Sequence, residues 1–251
     1  MNGDVPVTVV IAARNEAMRI AECVASVAWA SEVLVVENDS TDDTVERARD
    51  AGAEVFSHPF TTIGEQRNAA IARAAFPWIL VVDADERASP ALGEEVARRI
   101  ASSGGCRAYR ISRRNHFLGR EIRHGGWERD RPVRLFRREL RYDERPVHEH
   151  VIVDGEVGAL SERLSHHPYA SLDDYFEKFD RYSRSWAEQH HARGRRATPW
   201  MVALKPPARF FSMYVLRGGW RDGPHGVVLA ALAALSVGAK YARLWALGRR
   251  G

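Results

Sequence analysis

The stretch "WILVVDADER", residues 78–87, decides how the chain is read. Trp78 and the four aliphatic residues 79–82 run straight into Asp83, and Asp85 and Glu86 follow within three positions. An unbroken apolar run of this length fits a strand buried on both faces. Carboxylates are costly in such an interior, so the strand must end where the acids begin, at a crevice. A turn after Asp83 can bring Asp83 and Asp85 round one point. Two carboxylates there repel each other unless a cation joins them. Mg²⁺ or Mn²⁺ suits oxygen ligands and keeps positions open for phosphate oxygens. The plainer alternative is that both acids cap the next helix and meet water.

The pattern repeats on both sides of this stretch. "VPVTVVIAA" (5–13), "EVLVVE" (32–37) and "AEVFS" (53–57) read as further strands, rich in β-branched residues. Between them lie segments with apolar residues at helical spacing: 16–30, 41–52, 63–75 and 89–101. Ser40 is expected to cap the second of these and Gly52 to end it. Ser89 with Pro90 marks the start of the fourth. Strand and helix alternate about every 20 residues, the rhythm of an open, mostly parallel sheet. Ligands of such sheets bind at the carboxyl ends of the strands. The polar clusters "ARNE", "ENDSTDD" and "DADER" stand at those ends. Glu37 and Asn38 can bond the N–H edge of a base or a ribose hydroxyl, or merely form a capped turn. Arg67 and Asn68, early in the third helical segment, lie near the same crevice, where an Arg pairs with phosphate.

After residue 105 the rhythm changes. Residues 107–112, 131–138 and 150–160 read as strands, the last as a hairpin turning at Asp154-Gly155. From 171 onward three long helical segments follow, the second broken or kinked at Pro206-Pro207. The expected organisation is an α/β domain over 1–170 and a helical extension over 171–251.

Net charge is +4, but unevenly spread: residues 193–251 carry eleven Lys/Arg and one acid, Asp222. A basic, apolar tail on an acidic body points to an anionic partner. No nucleic-acid recognition module is visible, so an anionic membrane surface is the expected one. The uncharged run 226–239 is short for a span of about 20 residues and is expected at an interface or in a core. The N-terminus has no basic leader, and the two cysteines, Cys23 and Cys106, fall in apolar segments. Reduced thiols in a cytoplasmic setting follow.

"AARNEA", "VVENDSTDDTVERA", "GEQRNAAIARA" and "WILVVDADE" resemble, in order and spacing, the successive motifs of family 2 glycosyltransferases with the GT-A fold. "NHFLGREIRHGGWERDRPVRLFRR", "VHEHVIVDGEVGAL", "LSHHPY" and "GGWRDGPHG" resemble the bacterial branch that decorates the lipopolysaccharide inner core, typified by heptose β-1,4-glucosyltransferases. The likeness covers nearly the whole chain. It implies a nucleotide-sugar donor, UDP-glucose, with Mg²⁺ or Mn²⁺. It also implies a lipid-linked saccharide acceptor, met at the cytosolic face of the inner membrane. Ala13 and Glu16 then fall where the loop after the first strand meets the nucleotide. Glu37 replaces an Asp that contacts the base, and Asp39 and Asp43 replace glycines. Arg67 matches a basic position near the donor, Asp83 the ribose-side carboxylate, and Asp85 the metal ligand.

Inverting transfer requires one carboxylate to take the acceptor's proton. Glu149, after the "RLFRR" strand where the family places its base, is the first candidate. Asp130 is the second; its alternative role is an ion pair with Arg129, Arg131 or Arg134. His148, His150, His166 and His167 do not fit the H-E-x-x-H zinc spacing, although His166 or His167 can add a ligand to the metal. "RLFRREL" and "RGRR" can hold acceptor phosphates or face solvent. Tyr175, Phe179, Tyr182 and Trp186 recur at helical spacing and are expected in packing. An aspartyl-phosphate phosphatase is disfavoured because its D-x-D follows the first strand and Arg87 stands where a Thr or Val is usual. A nucleotidyltransferase lacks its glycine-rich loop here. A catalytically dead membrane scaffold would have no use for both Asp83 and Asp85.

Overall fold

The computed structural model describes residues 5–59, 61–102, 104–127, 131–143, 145, 149–169 and 171–249. Its elements run β1 (Val5–Ala13), α1 (Ile20–Ser26), β2 (Ala30–Glu37), α2 (Thr44–Asp50), β3 (Glu54–Ser57), α3 (Ile63–Arg73) and β4 (Trp78–Val81). Then follow β5 (Glu86–Arg87), α4 (Pro90–Ala101), β6 (Ala108–Phe117), β7 (Arg120–Glu121), β8 (Val133–Arg137) and β9 (Val157–His166). Three helices close the chain: α5 (Leu172–Ala192), α6 (Pro199–Phe211) and α7 (Pro224–Leu247). By packing, residues 1–113 and 130–166 form one unit, and residues 114–129 and 167–251 a second.

The first unit is an α/β sandwich. The sheet order is β3-β2-β1-β4-β8-β6-β9-β5, with β7 paired to β6. β3, β2, β1 and β4 are mutually parallel, while β8 runs antiparallel to both β4 and β6. Alternation within the strands supplies both faces. Val7, Val9, Ile11, Leu80 and Val82 point into one core with Ile20, Val24, Leu92 and Val96 from α1 and α4. Val10, Leu34, Val36, Ile79 and Val81 point into the other with Ala70 and Ile71 from α3. This double cover is why residues 79–82 read as continuous oil. Each fully buried aliphatic side chain contributes about 1.5–3 kcal/mol.

Several local expectations are corrected. Ser40 does not cap α2, which starts only at Thr44; the Asp42 carboxylate accepts from the Thr44 N–H instead (3.1 Å). Residues 150–160 do not form a hairpin: Val151 bridges to Tyr142, and the strand proper begins at Val157. Asp154 instead pairs with Arg107 (2.7 Å) across the turn. Pro206 and Pro207 lie within α6, which continues through them into a π-helical turn at Ser212–Leu216. Ser89 and Pro90 open α4 as expected, the Ser89 hydroxyl accepting from the Leu92 N–H.

In the second unit, Phe117, Ile122, Tyr175, Met213, Leu229 and Ala230 form the core. α7 is long and apolar enough to cross a membrane by length and composition. It is nevertheless tied along its length to α5: the Tyr175 hydroxyl donates to the Leu232 carbonyl (3.0 Å), Trp186 packs on Tyr241, and Arg243 pairs with Asp180. Tyr175 and Phe179 pack as expected, whereas Tyr182 is exposed.

Candidate active site

The parallel half of the sheet aligns three polar strand ends. Ala13 is in register with Glu37, and Val10 lies between Val35's neighbour Leu34 and Val81. Gln66, buried on α3, fixes this edge by donating to the carbonyls of Val36 (2.7 Å) and Ala13 (3.4 Å). The Asn38 N–H also donates to the Ala13 carbonyl (3.2 Å).

The loops beyond are stitched together by short polar side chains. Asn15 accepts from the Thr41 N–H (2.8 Å), Glu16 N–H donates to Thr44 Oγ1 (2.8 Å), and Ala17 N–H donates to Asp42 (3.2 Å). The Glu16 carboxylate pairs with Arg19 (3.0 Å). Asp39 sits at φ 50°, the left-handed region where a glycine is the easier residue. Glu37 is buried and accepts from the Ser40 N–H (2.9 Å). Burial raises its carboxyl, but hydrogen bonds from Ser57 and Ser40 outweigh that and hold it below the ordinary value.

Asp83 lies at the centre of a charged cluster. It pairs with Arg67 (2.5 Å), Arg113 (2.7 Å) and Arg134. Glu86, fully buried, pairs with Arg113 (2.5 Å) and Arg134 (3.2 Å) and accepts from the Asp83 N–H (2.8 Å). Burial alone would push the Asp83 carboxyl up; Arg134, Arg67 and Arg113 more than reverse it and hold it well below the usual range. Burial disfavours charge on Arg134 too, yet Asp83 and Glu86 push it well above its ordinary value. Both Asp83 oxygens therefore face guanidiniums, so in this arrangement the charge opposite Asp83 is supplied by arginines. Arg134, one of three arginines offered as partners in the alternative role of Asp130, belongs to this cluster.

Arg67 also reaches Glu149 (2.5 Å), so one guanidinium links Asp83 to the candidate base. Its plane lies near the Tyr142 ring (5.1 Å to the centroid). Gly64 permits this approach, since a Cβ there would lie 2.8 Å from the Asp143 carbonyl and 3.4 Å from Glu149 Cβ. Asn68 clamps the same segment by exchanging two hydrogen bonds with the Tyr142 backbone. Asp130 and His148 lie outside the described residues.

Asp85 stands apart from the arginines. Its Oδ2 is 3.5 Å from His166 Nε2, at the register where Glu86 of β5 pairs with His166 of β9. Among the described residues no three His, Cys, Asp or Glu converge as a metal cage. One carboxylate and one imidazole at partly exposed positions fit a divalent ion that takes its other ligands from water and phosphate.

A family model described as "Glycosyl transferase family 2" matches residues 8–160. The chain belongs to glycosyltransferase family 2. A lipopolysaccharide core biosynthesis glycosyltransferase, LpsC of Rhizobium meliloti, is 30% identical over 238 residues, covering 92% of this chain and 88% of that one. An uncharacterized glycosyltransferase of Rickettsia typhi is 26% identical, covering 93% and 85%. Among solved structures, glucosyl-3-phosphoglycerate synthase of Mycobacterium tuberculosis with Mn²⁺ and UDP-glucose is 23% identical, with a TM-score of 0.39 over 43% of each chain. The family assignment and the mixed sheet flanked by helices agree with the expected GT-A architecture.

The apolar run and its acids single out Asp83 and Asp85, and the helix start "GEQRNAA" singles out Arg67, but neither points to Glu86, Arg113 or Arg134. Arg113 alternates in β6 with the buried Ile111, Asn115 and Phe117, which is a period-of-two signal; Arg134 lies in β8, buried on both faces, where no alternation marks it. The three cations of "RLFRREL", a stretch expected to hold acceptor phosphates or face solvent, all meet partners within the protein. Arg134 faces Asp83, Arg137 lies over Trp78 (4.4 Å), and Arg138 donates to the Ala74 carbonyl (2.8 Å).

Proposed function

We propose that the chain is an inverting, divalent-metal-dependent hexosyltransferase that moves glucose from UDP-glucose to a lipid-linked saccharide of the lipopolysaccharide core. The observation that carries the reading is the continuous line Glu149–Arg67–Asp83, which ends beside Asp85 and the strand ends that bear Ala13, Glu37 and Asn38. Glu37 and Asn38 hold the base and ribose, and Ala13 and Glu16 border the nucleotide.

Asp85 and His166 would hold Mg²⁺ or Mn²⁺, which would supply Lewis-acid neutralisation of charge on the diphosphate. Glu149 receives the proton of the acceptor hydroxyl while that oxygen bonds to the anomeric carbon. The bond from the anomeric carbon to the phosphate oxygen breaks, and its electron pair leaves with UDP. Arg67 serves both ends of this displacement. It orients Glu149 through one Nη, and its positive charge faces the donor side through the other. Asp83 keeps Arg67, Arg113 and Arg134 in place. Asp130 is the second candidate for the base.

The acceptor assignment draws on the LpsC-like sequence over the whole chain. A peripheral position on the cytosolic face of the inner membrane draws on the second unit. Trp200, Leu204, Phe211, Leu216 and Trp220 are exposed there beside a strongly basic sequence. Each Lys or Arg near an anionic leaflet contributes about 1 kcal/mol. Binding to phosphatidylglycerol vesicles should therefore fall with salt and in Trp200→Ser; salt-independent or absent binding removes the membrane from the account.

The test of the chemistry is Glu149→Gln. Transfer should fall about 10²- to 10⁴-fold, with UDP binding in Mn²⁺ retained. Near-normal turnover would hand the role to Asp130. Asp85→Asn should weaken nucleotide binding in Mn²⁺ and leave metal-free binding unchanged.

A further inference from the structure

Two copies of the tripeptide Gly-Gly-Trp, in "RHGGWERD" (123–130) and "RGGWRDG" (217–223), take no part in the site above. The second unit brings them together. The Gly125 N–H donates to the Arg217 carbonyl (2.9 Å). Asp222, buried, accepts from the backbone N–H groups of Arg123 (3.3 Å) and His124 (2.9 Å) and from His124 Nδ1 (3.0 Å). An ionised carboxylate only accepts, so Nδ1 carries the proton and Nε2 is the ring nitrogen left over.

Arginines crowd the same turns. Gly126, at φ 98°, carries no side chain where a Cβ would lie 2.5 Å from Arg217 Nη1. Gly218, at φ 69°, is flanked by the Arg221 side chain and the Cδ2 edge of His124, 3.4 and 3.9 Å from a Cβ built there. Among the described residues, Arg217 and Arg221 have no carboxylate partner. The one acid of residues 193–251, Asp222, is committed to His124 and the backbone. Arg209 on α6 feels the imbalance: burial lowers its pKa, and the charge of Arg217 lowers it further. Like charges gathered on glycine turns without a counter-ion among the described residues, beside an oriented imidazole, are complementary to an anion rather than to a neutral sugar.

We propose that His124, Arg217 and Arg221 form a binding site for a phosphomonoester carried by the saccharide acceptor. Arg217 and Arg221 donate to the phosphate oxygens, and His124, held by Asp222 through Nδ1–H, donates from Nε2–H in its doubly protonated form. The proposal rests on the glycosyltransfer reading for the identity of the acceptor, but its geometry lies wholly within the second unit.

The experiment is imidazole NMR on the full chain, with UDP and Mg²⁺ present to occupy the donor side and His124→Gln identifying the resonance. Inorganic phosphate and glucose 6-phosphate should each shift the His124 signals saturably. Apparent affinity should fall about tenfold in Arg217→Gln and in Arg221→Gln, the loss expected of one charge-assisted contact, and stay unchanged in Arg195→Gln. Both arginines are exposed, so these variants keep their fold. Absence of a saturable shift, or equal affinity in all three arginine variants, overturns the site. A response to phosphatidylglycerol vesicles without one to glucose 6-phosphate also overturns it, in favour of a headgroup contact. If UDP still binds while phosphate does not, this inference alone fails. If phosphate binds as described and UDP never does, the functional reading fails and the anion site stands.

Discussion

Two charged clusters of this chain follow opposite rules. Around Asp83, three arginines and two carboxylates are packed against the sheet, and every charge has an opposite within bonding distance. Around the paired Gly-Gly-Trp turns, Arg217 and Arg221 stand at the surface, and Asp222, the one acid of residues 193–251, is turned inward to a histidine. Burial explains the difference. A desolvated charge must be compensated by the protein itself, whereas an exposed one is hydrated and can wait for a ligand. The first cluster is a scaffold that happens to be ionic; the second has an electrostatic surplus.

Removing one partner from each cluster sharpens the contrast. Asp83→Asn leaves three guanidiniums facing one another, and should cost about 3–5 kcal/mol in urea unfolding. A loss near zero would mean that the cluster is open to water. Glu86→Gln removes a fully buried carboxylate that accepts from Asp83's N–H and two arginines, and should cost about 2 kcal/mol. Arg221→Gln, by contrast, should change stability by less than about 0.5 kcal/mol; a larger loss would make the second cluster structural too.

Acid should separate the clusters in the same way. The Asp83 carboxyl is held below its ordinary value, after burial is overcome by Arg134, Arg67 and Arg113. Its contribution is therefore fully present above the unfolded carboxyl pKa of about 3.9 and is lost as pH falls below it. Wild-type stability should hold from neutral pH to about 5 and fall steeply below 4, and Asp83→Asn should flatten that fall. An unchanged slope in the variant would assign the acid sensitivity to other groups, Glu37 among them.

Much of the first cluster's frame is legible in the sequence. The near-continuous apolar runs of β1, β2 and β4, and the Ser89-Pro90 start of α4, follow from local physics that tertiary contacts do not overturn. Asp83 and Asp85 are legible because they follow the end of a buried strand, and Arg67 because it stands early in a helix of the same β-α rhythm. What was hidden depends on partners far along the chain. Glu86 and Arg134 are 48 residues apart, and no local rule says that one charge is buried to meet the other. Ser40 is expected as a cap because its residue type suits one, but α2 begins only at Thr44, whose N–H donates to Asp42. The hairpin at Asp154-Gly155 does not form: Val151, in its expected first arm, makes an isolated antiparallel bridge with Tyr142 instead. The two Gly-Gly-Trp copies stand in the sequence only within longer family-like stretches, and what links them depends on Asp222, 98 residues from His124.

The most direct test of the account is UDP release from UDP-glucose by the wild-type chain in Mn²⁺, run beside EDTA and Glu149→Gln, with GDP- and TDP-sugars as alternatives. The account predicts UDP formation that depends on the metal and collapses in Glu149→Gln, while that variant still shows a thermal shift with UDP. No turnover and no thermal shift with any of these nucleotides, with or without metal, would contradict it.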